Sequence, residues 1–239
     1  MTVEFEADAV VLDIEGTTSA TGFVADVLYP YSRGRLGALL AERGDEVDVR
    51  RATDQVRELL GEPEADVARV ELALTAWLDE DRKATPLKTL QGILWSEGFA
   101  RGELVSHFYD DVVPVLRRWQ AAGVRQYLYS SGSVVAQRAW FAHSPYGDLL
   151  PLLDGFFDTE NAGPKQSADS YRAITAAITA EPGRTLFLSD RPVELDAARS
   201  AGWLTVGVQR PGEPCYRQGT GSHPEARSFD HIMVARSGL

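Results

Sequence analysis

The sequence predicts an α/β protein in which a doubly wound parallel sheet carries an all-helical cap inserted after its first strand. Three observations predict this. Short apolar runs, each closing on polar residues, alternate with helical stretches in βαβ order beyond residue 110. A first run of the same kind, Ala9-Val10-Val11-Leu12, stands alone near the N-terminus. Between them, residues 23–107 hold several helical patterns and no convincing strand. The core domain is therefore expected over residues 1–20 and 109–239, and the helical cap over residues 21–108.

In chain order, Ala9-Val10-Val11-Leu12 is continuously apolar up to Asp13 and reads as a buried strand. Helical patterns follow over 25–40, 48–60 and 66–77, with Val67, Val70, Leu74, Trp77 and Leu78 on one face of the last. Gly44-Asp45, Gly61-Glu62-Pro63 and Ala84-Thr85-Pro86 punctuate that segment. Residues 114–122 have a Pro at the start and Gly123 just past the end, the asymmetry of a helix. Residues 124–129 then read as a strand closing on Ser130-Ser131-Gly132, with a helix over 134–142. A weaker strand at 155–157 and a helix at 167–180 precede a strand at 185–188 that ends in Ser189-Asp190. A helix at 193–201, stopped by Gly202, and a strand at 205–208 complete the alternation.

The 239 residues include 24 Lys and Arg against 35 Asp and Glu, a formal net charge of −11. Such a chain repels a phosphate backbone over most of its surface, which argues against nucleic acid as a partner. An acidic enzyme acting on an anionic substrate needs local positive charge, such as a metal ion with a lysine. Cys215 is the one cysteine, so neither an intrachain disulfide nor a multi-cysteine metal site is expected, and it reads as a loop thiol without a task. None of the four histidines, His107, His143, His223 and His231, has zinc-ligand spacing. The acidic N-terminal stretch lacks the basic start of a signal peptide, and no apolar run approaches the about 18 residues that span a bilayer. A cytoplasmic location and no membrane partner are expected.

The chemistry concentrates where strands end, which is where ligands bind in such sheets. In Asp13-Ile14-Glu15-Gly16-Thr17-Thr18, the first carboxylate can attack phosphorus and ligate Mg²⁺, while the second, two residues on, can protonate a leaving group and then activate water. The plain alternative is a turn rich in capping residues. Ser130-Ser131-Gly132-Ser133 offers hydroxyls and free N–H groups to a phosphate oxygen, or simply caps the next helix. Lys165 follows a Gly-Pro turn and reaches the same crevice, where it neutralises phosphate and keeps a carboxylate ionised. Asp190 completes an oxygen-ligand Mg²⁺ site with Asp13. Glu194 and Asp196 suit either metal duty or the first turn of a helix.

The order Asp-x-Glu, Ser, Lys, Asp, each closing or following a strand, is similar to the four motifs of the haloacid-dehalogenase-like (HAD-like) hydrolase superfamily. Leu12 to Thr18, Leu90-Gln91-Gly92-Ile93-Leu94-Trp95, Tyr129 to Val134, Phe157-Asp158-Thr159 and Phe187-Leu188-Ser189-Asp190 further resemble the enolase-phosphatase E1 family of methionine salvage. So do the stretch from Phe23 to Tyr31 and the tail Arg210-Pro211-Gly212, and the resemblance covers nearly the whole chain. Glu15, where most of the superfamily carries Asp, and the Leu-Gln-Gly-x-x-Trp of the cap are its most specific elements. Leu94, in place of a commoner Ile, and Arg191-Pro192 after Asp190 depart from the pattern.

The resemblance implies conversion of 2,3-diketo-5-methylthiopentyl 1-phosphate to 1,2-dihydroxy-3-keto-5-methylthiopentene by enolisation and then hydrolysis of the enol phosphate. It implies one Mg²⁺ and a monomer. Asp13 becomes the nucleophile and a metal ligand; Glu15 ligates through its main-chain carbonyl and acts as acid and base; Asp190 is the third ligand. Ser130 and Ser131 bind substrate oxygens and Lys165 the phosphate. Leu94 and Trp95 either receive the methylthio group or belong to the core of the cap. His107 either contacts substrate or is structural. The alternatives are a Mg²⁺-dependent phosphatase of another small ester, an idle phosphate-binding protein, which predicts loss of an acid or of Lys165, and a dehalogenase, which needs no metal.

Overall fold

The computed structural model describes residues 2–80, 82 and 84–236. The chain divides into two compact units, Met1–Gly22 with Val105–Leu239, and Phe23–Leu104.

The first unit is built on a parallel six-stranded sheet. Its strands are β2 (Ala9–Leu12), β3 (Arg125–Tyr129), β4 (Gly155–Phe157), β5 (Thr185–Ser189), β6 (Leu204–Val208) and β7 (Glu225–Ala226), in the order β4-β3-β2-β5-β6-β7. β2 is apolar at every position because both faces of the sheet are covered, and all four of its residues are buried. Its odd positions, Ala9 and Val11, pack with Tyr127, Tyr129, Tyr171, Phe187 and Trp203 in one largely aromatic cluster. Crossover helices α6 (Val112–Ala121), α7 (Val134–Ala142), α8 (Ala168–Ile178) and α9 (Pro192–Ser200) link the strands. Pro192 opens α9 at its first position, where a missing N–H costs nothing, so Arg191-Pro192 is compatible with the helix that follows Asp190.

Three strands escape the sequence reading: the two-residue β7 at the edge of the main sheet, and two that pair apart from it. β1 (Val3–Glu6) pairs in parallel only with β8 (Ile232–Ala235), forming a separate two-stranded sheet. β1 alternates apolar and acidic residues and is only half covered, a far weaker signal than the continuous run of β2.

The second unit is helical: α1 (Tyr29–Arg33), α2 (Leu36–Arg43), α3 (Val47–Leu60), α4 (Val67–Asp79) and α5 (Thr85–Ala100). The single helix expected over 25–40 is in fact three pieces. A π-helical turn, Val24–Leu28, precedes α1, and the chain leaves helical geometry at Arg35 before α2. Pro30 explains the first break, since it cannot donate to the carbonyl four residues back and its ring crowds that group; the wider π turn relieves both. Asp66 caps α4 by accepting the Arg69 N–H at 2.8 Å. Of the apolar face foreseen on α4, Val70, Leu74, Trp77 and Leu78 are buried, while Val67 in the first turn is exposed. α5 was visible only as its Leu-Gln-Gly-x-x-Trp motif, because Pro86, Gly92 and Gly98 disguise a long helix. Leu94 sits in the core of this unit, and the Trp95 indole N–H donates to Leu28 O at 3.1 Å and Ser32 Oγ at 2.6 Å. Both residues therefore have work in the core of the cap.

No helix among the described residues is long and apolar enough to cross a membrane.

Gly207 in β6 leaves no room for a side chain: a Cβ there would lie 1.9 Å from Thr220 Cγ2. Gly207→Ala is expected to destabilise the chain by about 2–3 kcal/mol through overpacking, read as a lowered urea midpoint at unchanged slope.

Candidate active site

The register of the sheet assembles the site. Leu12 pairs with Leu128 on one side and Leu188 on the other, so Asp13, Ser130 and Asp190 leave the sheet together at its carboxyl edge. The strand order runs one way from β2 to β4 and the other way from β5 to β7, and this switch beside β2 makes the edge a crevice. After Asp13 the chain closes a tight loop in which the Ile14 carbonyl accepts the N–H groups of Thr17, Thr18 and Ser19 at 3.2, 3.0 and 2.9 Å. Gly16 is required in that loop. Its φ is +73°, and a Cβ would lie 2.3 Å from Asp190 Oδ2.

Lys165 is delivered from the far side of the aromatic cluster. The Gly163-Pro164-Lys165 turn is pinned by Tyr129 Oη donating to Gly163 O and Tyr171 Oη to Lys165 O, both at 2.8 Å. Lys165 Nζ then lies 2.5 Å from Asp13 Oδ1 and 2.7 Å from Glu194 Oε2. Glu194 is the residue whose role the sequence left open. It is buried, accepts a 3.0 Å hydrogen bond from Ser189 Oγ, and grips the lysine. Asp196 is exposed and pairs with Arg199 and with the buried His223 at 3.1 Å, so it takes no part in this cluster.

Thr17, quoted in the motif without a task, links the two principal acids. Its Oγ1 donates to Asp13 Oδ2 at 3.3 Å and accepts the Asp190 N–H at 3.0 Å. The Asp-x-Glu-Gly-Thr spacing was the available signal for it. Ser130 is buried, and its Oγ accepts the Gly132 N–H at 3.2 Å; Ser131 and the Glu15 side chain are exposed. Ser133 caps α7 by accepting from Ala136 N, which separates the capping serine from Ser130 and Ser131. Asp158 is buried behind this loop and accepts the Val134 N–H at 2.9 Å. His107 Nδ1 accepts the Ala20 N–H at 3.1 Å, which puts the ring proton on Nε2, and burial holds its pKa below the usual histidine value.

Charge is the most informative property of this cluster. Asp13, Asp190 and Glu194 are 5%, 4% and 3% exposed, and Lys165 is the one ammonium among them, at 4%. Burial works to discharge Lys165, but Asp13 and Glu194 outweigh it and hold its pKa above the ordinary lysine value. Asp190 has no such partner. Its Oδ1 makes no hydrogen bond, and burial first, then the Asp13 charge, push its pKa up to about 7. Cys215 lies against Asp190, and its thiol is pushed up to about 11 by burial and that carboxylate, so it stays protonated. Among the described residues no three His, Cys, Asp or Glu side chains group as a metal site. The acids nevertheless fit a hard divalent cation that takes two carboxylates and completes its shell with a main-chain oxygen, waters and substrate. The uncompensated charge and the orphaned Asp190 oxygen both favour it.

A linkage experiment tests this electrostatic picture. In metal-free protein, folded Asp190 keeps its proton where the unfolded chain, near the ordinary 3.8, has lost it. Its contribution to stability is full below that lower pKa and is lost as pH rises towards 7. The difference in urea-unfolding free energy between wild type and Asp190→Asn in EDTA is expected to move against the wild type from about pH 4 to about pH 7. A difference that stays flat over that range would contradict the raised pKa.

Comparison with known proteins agrees with this geometry. Residues 7–202 match the model of the haloacid dehalogenase-like hydrolase family. The chain is 71% identical to enolase-phosphatase E1 of Streptomyces avermitilis, covering 99% of both chains, and 53% identical to that of Frankia alni, covering 95% and 96%. It also superposes on the crystal structure of Unknown transcript 4 protein from Saccharomyces cerevisiae with a TM-score of 0.78 at 29% identity, covering 94% of this chain and 99% of that one. The acid–lysine cluster thus sits in a chain that belongs to the haloacid dehalogenase-like hydrolases and, within them, to the enolase-phosphatase E1 family.

Proposed function

We infer that the protein is the enolase-phosphatase of methionine salvage, an acireductone synthase. It converts 2,3-diketo-5-methylthiopentyl 1-phosphate to 1,2-dihydroxy-3-keto-5-methylthiopentene and phosphate. The observation that carries this reading is the 71% identity to an enolase-phosphatase E1 over nearly the whole chain. A monomer is what the resemblance to the family implies, and the salvage role supports a cytoplasmic location.

Hydrolases of this family generally use Mg²⁺. Here Asp13, Asp190 and the Glu15 main-chain carbonyl would hold it, and it would supply Lewis acidity towards carbonyl and phosphoryl oxygens. Asp13 is the nucleophile. Lys165, 2.5 Å away, keeps it ionised and offers positive charge to the arriving phosphate. As the bond from Asp13 to phosphorus forms, the bond from phosphorus to the enol oxygen breaks, and Glu15 gives that oxygen its proton. Glu15 then takes a proton from the water that cleaves the aspartyl phosphate, returning both acids to their starting states. Its exposed side chain, two residues beyond Asp13, suits this exchange with substrate and solvent. In the enolisation that comes first, Glu15 is the candidate to take the C1 proton as a carboxylate while the 2-oxo oxygen gains its proton from solvent; this leaves Glu15 protonated for the leaving-group step, and it returns to solvent the proton it later takes from the attacking water. Ser130 and Ser131 bind substrate oxygens at the end of β3, and Glu194 orients Lys165 rather than touching substrate.

The decisive experiment is a single turnover of the diketo phosphate in Mg²⁺, following enol absorbance and phosphate together. An absorbing enol phosphate is expected to rise before phosphate appears. Phosphate release from simple esters, with no enol from the diketone, would leave a phosphatase of some other ester. Asp13→Asn is expected to lower phosphate release by about 10³-fold or more, with the circular dichroism spectrum of the folded chain unchanged. Substantial remaining turnover would remove Asp13 as nucleophile.

A further inference from the structure

Arg210 opens the Arg210-Pro211-Gly212 tail, a motif to which the mechanism above gives no task. It follows β6 at the carboxyl edge of the sheet and is 5% exposed, so its placement is costly unless every donor is used. Each of the three guanidinium nitrogens is engaged. Nε and Nη2 donate to the Thr17 carbonyl at 3.2 and 3.1 Å, and Nη1 donates to Asp111 Oδ2 at 2.7 Å. Asp111 Oδ2 is itself fixed by the Phe229 N–H at 2.7 Å. Two rings enclose the group, with Tyr109 at 4.2 Å and Phe229 at 5.2 Å from Cζ to ring centroid. The Tyr109 hydroxyl is tied down in turn by Glu213, at 2.5 Å.

What this construction holds is the backbone of Thr17, the residue whose hydroxyl bridges Asp13 Oδ2 and the Asp190 N–H. Two bonds converging on one carbonyl oxygen fix its direction as well as its position, which a planar fork achieves and a single ammonium does not. We propose that Arg210 is a positioning residue: by clamping the Thr17 carbonyl it sets the separation and orientation of the Asp13 and Asp190 carboxylates. It touches neither of them. The inference rests on Asp13 and Asp190 being the reacting and metal-holding acids of the proposed function.

Arg210→Lys and Arg210→Gln, assayed as purified full chain with the diketo phosphate, test it. The Gln variant is expected to lose about 10²-fold in kcat, the scale of a small misplacement of reacting groups, with KM within about threefold. The Lys variant, which keeps the charge and one donor, is expected to recover part of that loss. Coupling provides the readout that a merely structural role would not move. In a Thr17→Ala background the hydroxyl bridge is already gone, so Arg210→Lys is expected to cost little more, giving a strongly non-additive cycle in kcat. Effects that multiply, or wild-type kcat in folded Arg210→Lys, would overturn the proposal. If the Arg210 variants fail to fold, Asp111→Asn releases the same clamp from its other side, and its cycle with Thr17→Ala decides in the same way. An inactive Asp13→Asn alongside an unaffected Arg210→Lys would remove this inference alone, whereas an active Asp13→Asn would remove the reading beneath it.

Discussion

Three carboxylates and a single ammonium are buried side by side at one edge of a parallel sheet, and the arrangement of the rest of the core unit follows from keeping them there. Burying an ion costs several kcal/mol even after relaxation, and only close pairing returns that cost. Lys165 pairs with Asp13 and Glu194, which leaves Asp190 with an oxygen that no protein donor meets. The cluster is therefore one that the protein does not neutralise by itself. Its remaining charge suits a divalent cation, and the rise in the Asp190 pKa is the same deficit seen from the side of the proton. A second protein cation would have stabilised the fold and left nothing to hold a metal against a phosphate.

Such a cluster has to be enforced by parts that are individually cheap to fold. The pairing of β2 with β5 puts Asp13 and Asp190 on adjacent strand ends without any interaction between their side chains being needed. Gly16 then lets the first loop lie directly against the Asp190 carboxylate. Lys165 comes from outside the strands, and the aromatic layer does the positioning. Tyr129 and Tyr171 meet edge to face at 5.5 Å, and each spends its hydroxyl on a carbonyl of the turn that carries the lysine. Hydrophobic packing and site geometry are thus set by the same residues.

How much of this is legible in the sequence depends on the range of the cause. The central strands are legible because burial on both faces writes a continuous apolar run, and the site acids because a polar residue closing such a run has one place to be. Asp13, Ser130 and Asp190 were placed by that logic alone. β1 and β8 were not, since each is half exposed and finds its partner at the opposite end of the chain. The π turn before α1 was hidden because Pro30 can open a helix or distort one, and only the packing around it chooses. Glu194 and Asp196 look alike as first-turn acids, and the difference between them is rotational. The helix turns Glu194 towards Lys165 and Asp196 towards solvent, two residues apart and on opposite faces.

The overall charge of the chain carries a related lesson. At −11 the molecule is poorly suited to gather an anionic phosphate by its general field. Its attraction for substrate has to be local, and the interior shows where the positive charge has gone. Among the described residues, the buried lysine and arginine side chains are Lys165 and Arg210, and both act on the loop that carries the first two acids. Lys165 meets the Asp13 carboxylate at the start of that loop, and Arg210 meets the Thr17 carbonyl four residues later. One cation supplies charge where chemistry occurs, while the other spends its charge on Asp111 and contributes shape. That division lets the site keep the net negative charge that a metal requires and still hold its carboxylates rigidly.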